Sequence, residues 1–443
     1  MRSPRRLGLT LAALVATTCT AGGSIGPLAY PTSLPETPLQ PASMRPSPSP
    51  PPDGEHAQPP TDRPDPDPET PTAPTAPPTL PWVGTWATAA SANQVSFSDQ
   101  TLRQVVHTSI GGDAARVQLS NVFGAQPLTL SSLFLAKRGA GMAADGPMVA
   151  ITFAGSDSIT LAPGAAAVSD PAAFTVPPQS DILVSLYIAG RVASGTCHPA
   201  SGQTHALAAG NVSNQPVLSR PTSTTTTCFL TNLDVQNSAA EGAVVAFGAS
   251  VTDGHNAEQD RNHRWPDFLA ARLADAGRQV GVLNAGISGN RLLQDGSGPS
   301  ALRRFARDAL AQPGAKWVIV SDDPINDVGI TRPQPSAEQL IGGLKTLVDD
   351  AHRAGLKIIC FTLSPFEGAG YWTPEGEARR AAVNDFLRSP SSGCDMVVEQ
   401  DRALHDPSSP TRFRPAYDSG DHLHPNDQGM QAIADAIDLR ALR

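Results

Sequence analysis

The chain has 443 residues, a net charge of −9, 43 prolines and only 5% aromatic residues. That length has room for two domains of ordinary size. The acidic balance, with no Lys/Arg-rich run beyond the first few residues, leaves no electrostatic footprint for nucleic acid.

Residues 1–26 read as an export signal. Arg2, Arg5 and Arg6 precede an apolar stretch at 7–15 and small residues at 16–23, the order of a leader and too short for a mature membrane anchor. Arg5 and Arg6 also suit a twin-arginine signal. Cys19 offers a lipidation site, although Ala16 departs from the large apolar residue usual three positions earlier. Residues 27–81 are dominated by Pro, Thr, Ser, Asp and Glu; such a segment buries too little surface to offset its ordering entropy, so a disordered spacer is expected. The expected location is extracellular, either free or lipid-anchored through Cys19, with association to a cell wall or membrane surface.

Residues 82–240 alternate β-prone runs (104–109, 115–121, 128–136, 149–153, 182–188) with turn residues such as Gly111-Gly112, Gly124 and Asp145-Gly146. No helical period lasts a dozen residues, and an antiparallel β-sandwich domain is expected. Trp82 and Trp86 are expected in its core or at a domain interface rather than as sugar platforms.

Residues 241–443 alternate apolar runs (243–247, 280–283, 317–320, 357–363, 396–398) with helical stretches (265–276, 300–311, 336–354, 375–387 and from 425). This alternation predicts an α/β domain with a parallel sheet between two helix layers, a flavodoxin-like three-layer α/β/α fold. Cys197, Cys228, Cys360 and Cys394 remain after Cys19, an even set that favours disulfides in an exported chain. Of the three pairings, Cys197 with Cys228 and Cys360 with Cys394 keep each bridge within one domain. Their spacing fits no zinc motif.

The chemistry concentrates at strand ends. In EGAVVAFGASVTDG (241–254) an apolar run delivers Ser250 at its carboxyl end, where open α/β sheets place their ligands. A serine hydroxyl needs a base to become a nucleophile. His424 is the best candidate, with Asp421 three residues earlier able to accept its other N–H. NAGISGN (284–290) and PIND (324–327) follow the next two apolar runs, and DHLHPND (421–427) precedes the last helix.

These four motifs in this order resemble the SGNH hydrolases, also called GDSL-type esterases, over about 243–439. The resemblance implies a triad of Ser250, Asp421 and His424. It also implies an oxyanion hole formed by the backbone N–H groups of Ser250 and Gly289 and the side-chain amide of Asn326. It calls for no cofactor and no metal. His422 competes as base by proximity, but the family pattern assigns the later histidine. There are two departures. Ala249 replaces the family's acidic residue beside the nucleophile, and SDDPIND carries Pro324 where relatives have glycine, so the fixed φ of proline bears on where Asn326 sits. FTLSPFEGAGYW (361–372) resembles a loop near the active site, with aromatics suited to an acyl or sugar pocket.

The resulting expectation is an exported, monomeric serine esterase acting through an acyl-enzyme, with acetyl or other acyl esters on a polysaccharide as substrates. The alternatives are a lipase acting on lipid acyl esters, a metal-dependent hydrolase using His255, His263 and His422, and a catalytically impaired carbohydrate-binding wall protein.

Overall fold

The computed structural model describes residues 81–443. The expected export signal and the spacer, Pro81 aside, lie outside the described residues.

Twelve strands arise between residues 82 and 236: β1 (Trp82–Ala87), β2 (Ser91–His107), β3 (Ala114–Ser120), β4 (Leu128–Arg138), β5 (Ala144–Ile151), β6 (Ser158–Leu161), β7 (Ala166–Val168), β8 (Asp181–His198), β9 (His205–Ala209), β10 (Thr222–Thr224), β11 (Thr227–Cys228) and β12 (Leu230–Gln236). They form two antiparallel sheets, one in the order β1-β12-β3-β7 and one built on β10-β9-β2-β8-β4-β5. In β3 the period-two pattern buries Ala115, Val117 and Leu119 in turn, as a half-buried strand requires. Apolar side chains of both sheets meet in one cluster that includes Val117, Leu233 and Val235 from the first and Leu102, Leu130 and Val184 from the second. Trp86 is buried in it, and Trp82 lies under the Arg116 guanidinium. Cys197 of β8 and Cys228 of β11 are register partners joined by a disulfide.

From residue 242 the pattern changes to β13 (Gly242–Gly248), α1 (Ser250–Asp253), α2 (Trp265–Asp275), β14 (Val280–Gly286), α3 (Ala301–Phe305), β15 (Ala315–Val320), α4 (Asp323–Ile330), α5 (Ala337–Arg353), β16 (Lys357–Phe361), α6 (Pro374–Arg388), β17 (Met396–Val398), α7 (Gln400–Leu404) and α8 (Asp427–Asp435). The five strands form a parallel sheet in the order β14-β13-β15-β16-β17, the flavodoxin-like order with its switch point beside the first strand. Alternation along the strands makes the three layers. Val245 and Phe247 of β13 join Leu344 and Leu347 of α5 on one face, whereas Val244 and Ala246 join Leu269 of α2 and Ile433 of α8 on the other. Each valine, leucine, isoleucine or phenylalanine fully buried in this way contributes about 1.5–3 kcal/mol. A second disulfide joins Cys360 of β16 to Cys394 ahead of β17. Among the described residues, no helix is long and apolar enough to cross a membrane.

The antiparallel and parallel parts share a core and backbone contacts. The Gly84 N–H donates to Pro313 O at 2.9 Å, and the Val282 N–H donates to Ser109 Oγ at 2.9 Å. At Gly281 in β14, an added Cβ would overlap the carbonyl oxygen of Gly84 in β1. Glycine is needed there because two backbones touch. Gly281→Ala is therefore expected to destabilise the protein by about 1–3 kcal/mol, read as a lower urea midpoint at unchanged secondary structure.

Candidate active site

β13 is buried throughout, so its polar groups must find partners as the chain turns at Gly248 into α1. Asp322, just past β15, meets three of them. Its carboxylate accepts the N–H of Ala249 at 3.0 Å, the N–H of Val251 at 2.8 Å and the hydroxyl of Thr252 at 3.1 Å. The amides at the start of a helix have no partner within it, and Asp322 supplies that partner from a neighbouring strand end. A Cβ at Gly248 would stand 2.7 Å from the Asp322 carboxylate, so the small residue and the acid are fitted to each other. The acidic residue missing at position 249 is thus matched by a carboxylate from another loop on the same turn.

The segment before α8 brings up His424, the expected base. Asp421 Oδ1 accepts the N–H groups of Leu423 and His424 at 3.0 and 2.9 Å, and Oδ2 lies 2.7 Å from His424 Nδ1. Burial alone would raise the Asp421 carboxyl, but the bonds from the His424 ring and backbone outweigh it and bring its pKa to about 2. The ionised carboxylate therefore accepts a hydrogen bond from Nδ1–H, which leaves Nε2 as acceptor. That Nε2 stands 2.8 Å from Ser250 Oγ. His422 does not compete for this place: its Nδ1 pairs with Asp418 at 2.5 Å and its side chain is half exposed.

At the ends of β14 and β15 the remaining expected residues converge. Gly289 has φ +76, a conformation that glycine adopts at least cost. Asn326 is buried and donates its Nδ2 to Asn290 O at 2.9 Å. Among the described residues, the Ser250 and Gly289 N–H groups have no acceptor. Pro324 is accommodated because it occupies the first turn of α4, where no intrahelical N–H bond is lost; Asn326 follows it on the same helix. Arg304, fully buried, ties the strand ends together. It donates to Ala285 O at 2.7 Å, Gly248 O at 2.8 Å and Asn290 Oδ1 at 2.8 Å, and it stacks on Phe247 at 3.9 Å.

Ser250 and Asn326 line one cavity together with Ile325, Phe366, Tyr371 and Leu423; its volume is about 10 Å³. Phe366 and Tyr371 come from the aromatic loop at 361–372, and the Tyr371 hydroxyl reaches Asn326 Oδ1 at 3.4 Å. The three histidines of the metal alternative are not brought together. His255 groups with Asp421 and His424, His263 with Glu258 and Asp427, and His422 with neither among the described residues.

Asp322, Arg304, Asp253 and Ser288 went unassigned in the sequence. The doubled acid of SDDPIND was a signal for the first; nothing in the local sequence pointed to the others. Asp323 of the same pair is buried 3.4 Å from Arg304. Burial, reinforced by Asp322 and Asp327 and only partly offset by Arg304, pushes its carboxyl up to about 7. This lies above the unfolded value of about 4. Its contribution to stability is therefore full below about pH 4 and lost as pH rises through about 7. Asp323→Asn is expected to gain thermal stability relative to the wild type on going from pH 5 to pH 8. An equal difference in Tm at both pH values would contradict this.

Residues 246–432 match the model of the GDSL-like lipase/acylhydrolase family. Comparison with curated proteins gives no match. Among solved structures, the chain is similar to an acetylxylan esterase from Geobacillus stearothermophilus, at 20% identity over 46% of this chain and 95% of that one, with a TM-score of 0.35. It is similar to a GDSL-like lipase from Bacteroides thetaiotaomicron at 17% identity, 46% and 88% coverage and a TM-score of 0.35. An α/β hydrolase from the metagenome of Lake Arreo, Spain, gives 24% identity, 46% and 95% coverage and a TM-score of 0.36. The family match runs from the strand before Ser250 to the helix after His424, and it identifies residues 246–432 as a GDSL-like lipase/acylhydrolase domain.

Proposed function

We propose that this protein is an exported serine esterase that cleaves short-chain carboxylic esters through an acyl-enzyme on Ser250. The observation that carries this reading is the unbroken chain from Asp421 through His424 to Ser250, with contacts of 2.7 and 2.8 Å, at the mouth of a cavity that Asn326 shares. His424 Nε2 takes the hydroxyl proton as Oγ attacks the ester carbon, and the Asp421 carboxylate stabilises the imidazolium that forms. The oxyanion is received by the Ser250 and Gly289 N–H groups and Asn326 Nδ2. His424 then protonates the leaving alcohol, and a water molecule deprotonated by the same nitrogen releases the acid.

The size of the cavity argues for a small acyl group. A volume of about 10 Å³ holds about one water-sized body, which suits an acetyl methyl. Acetyl esters of a polysaccharide are the preferred natural class. In this reading residues 82–240 are a β-sandwich ahead of the catalytic region at 241–443. The two disulfides are consistent with an oxidising, extracellular setting.

Ser250→Ala and His424→Ala are expected to lower kcat on p-nitrophenyl acetate by about 10⁴-fold or more. Asn326→Ala should lower kcat by about 10²–10³-fold with little change in KM. Wild-type kcat/KM should fall from acetate to butyrate to long-chain esters. Folded wild type that turns over none of these esters would overturn the reading, and a preference for the longest chain would overturn its substrate class.

A further inference from the structure

The structure assigns to His198, the last residue of β8, a positioning role in the hydrolase site: it is the buried, charged partner of Asp253, which in turn holds the loop that presents the Gly289 N–H. This inference rests on the esterase reading above and extends the site into the antiparallel sheets.

His198 and Asp253 are both buried, at 4% and 5% exposure. His198 Nδ1 lies 2.7 Å from Ala89 O and Nε2 lies 2.9 Å from Asp253 Oδ1. A carbonyl oxygen can only accept, and so can an ionised carboxylate. Both ring nitrogens must therefore carry protons, and the pair is an imidazolium with a carboxylate. Burial opposes each charge, yet their mutual attraction holds Asp253 below the usual carboxylate range and His198 above that of histidine. Arg264, the other cation nearby, is already bound to Asp267 at 2.8 and 3.0 Å.

Asp253 joins the two halves of the site. It ends α1, the helix that Ser250 begins. Its Oδ2 accepts both the N–H and the hydroxyl of Ser288, at 2.9 and 2.6 Å, and Ser288 immediately precedes Gly289. The amide that receives the oxyanion is thus anchored to the nucleophile helix through a carboxylate whose charge is balanced by a residue from the antiparallel sheet. The Cys197–Cys228 disulfide fixes the strand end that carries His198.

The test uses the full chain and p-nitrophenyl acetate. His198→Asn leaves Asp253 buried without its counter-ion, and kcat is expected to fall about 10-fold or more with KM within about threefold, as misplacement of a donor predicts. Adding Asp253→Asn removes the uncompensated charge, so the double variant should recover part of that loss rather than compound it. A folded His198→Asn protein with kcat within twofold of an active wild type, or a double variant whose losses simply multiply, overturns this inference alone. If His198→Asn does not fold, Ser288→Ala decides: a lower kcat at unchanged KM is expected, and an unchanged kcat overturns it. A wild type that turns over no ester overturns the esterase reading and this inference together.

Discussion

The turn from β13 into α1 places backbone amides and a hydroxyl at the end of a wholly apolar strand, away from water. A buried donor left without a partner costs about 1–3 kcal/mol, so several such groups in one turn would undo much of what the strand's burial contributes. Asp322 takes two of the amides and the Thr252 hydroxyl, and Arg304 donates to the Gly248 carbonyl from the other side. With the turn held in this way, Ser250 can be nearly buried and still project its hydroxyl at His424. The remaining groups of the site are arranged around that fixed point.

Arg304 extends the same device across the sheet. One guanidinium meets the ends of β13 and β14 and the side chain of Asn290, and the backbone carbonyl of Asn290 in turn accepts from Asn326. The ends of three neighbouring strands are thereby joined through hydrogen bonds rather than through packing alone. The cost appears in Asp323, a carboxyl buried beside the cation, with one oxygen lacking a partner among the described residues and a proton held to about pH 7. Such a group is tolerated where it supports a site.

Much of the hydrolase fold was legible because each element carries its own period. The apolar runs of β13 to β17 and the i, i+3, i+4 spacing of α2 and α5 mark strands and helices and their buried faces with little outside help. The antiparallel part was legible in kind but not in extent. β2 and β8 continue well beyond the runs at 104–109 and 182–188, because their paired backbones carry polar residues along an exposed rim that hydropathy alone reads as loop. The motifs pointed to Ser250, Asn326, Asp421 and His424, and the structure brings these together. Hidden were the residues that act across long sequence distances. His198 lies 55 residues from Asp253, and a histidine at a strand end has no local mark of charge or function. Pro324 carried the opposite difficulty: an apparent break in the motif falls at the first turn of a helix that the sequence did not reveal, where no intrahelical hydrogen bond is lost.

In the proposed mechanism Ser250 is a nucleophile activated by His424 and Asp421. The most direct measurement is treatment of the folded protein with a fluorophosphonate, followed by intact-mass and peptide mapping. A single adduct on the peptide carrying Ser250, lost in His424→Ala, is the predicted result. A folded protein that stays unmodified, or one modified at a different serine, would contradict it.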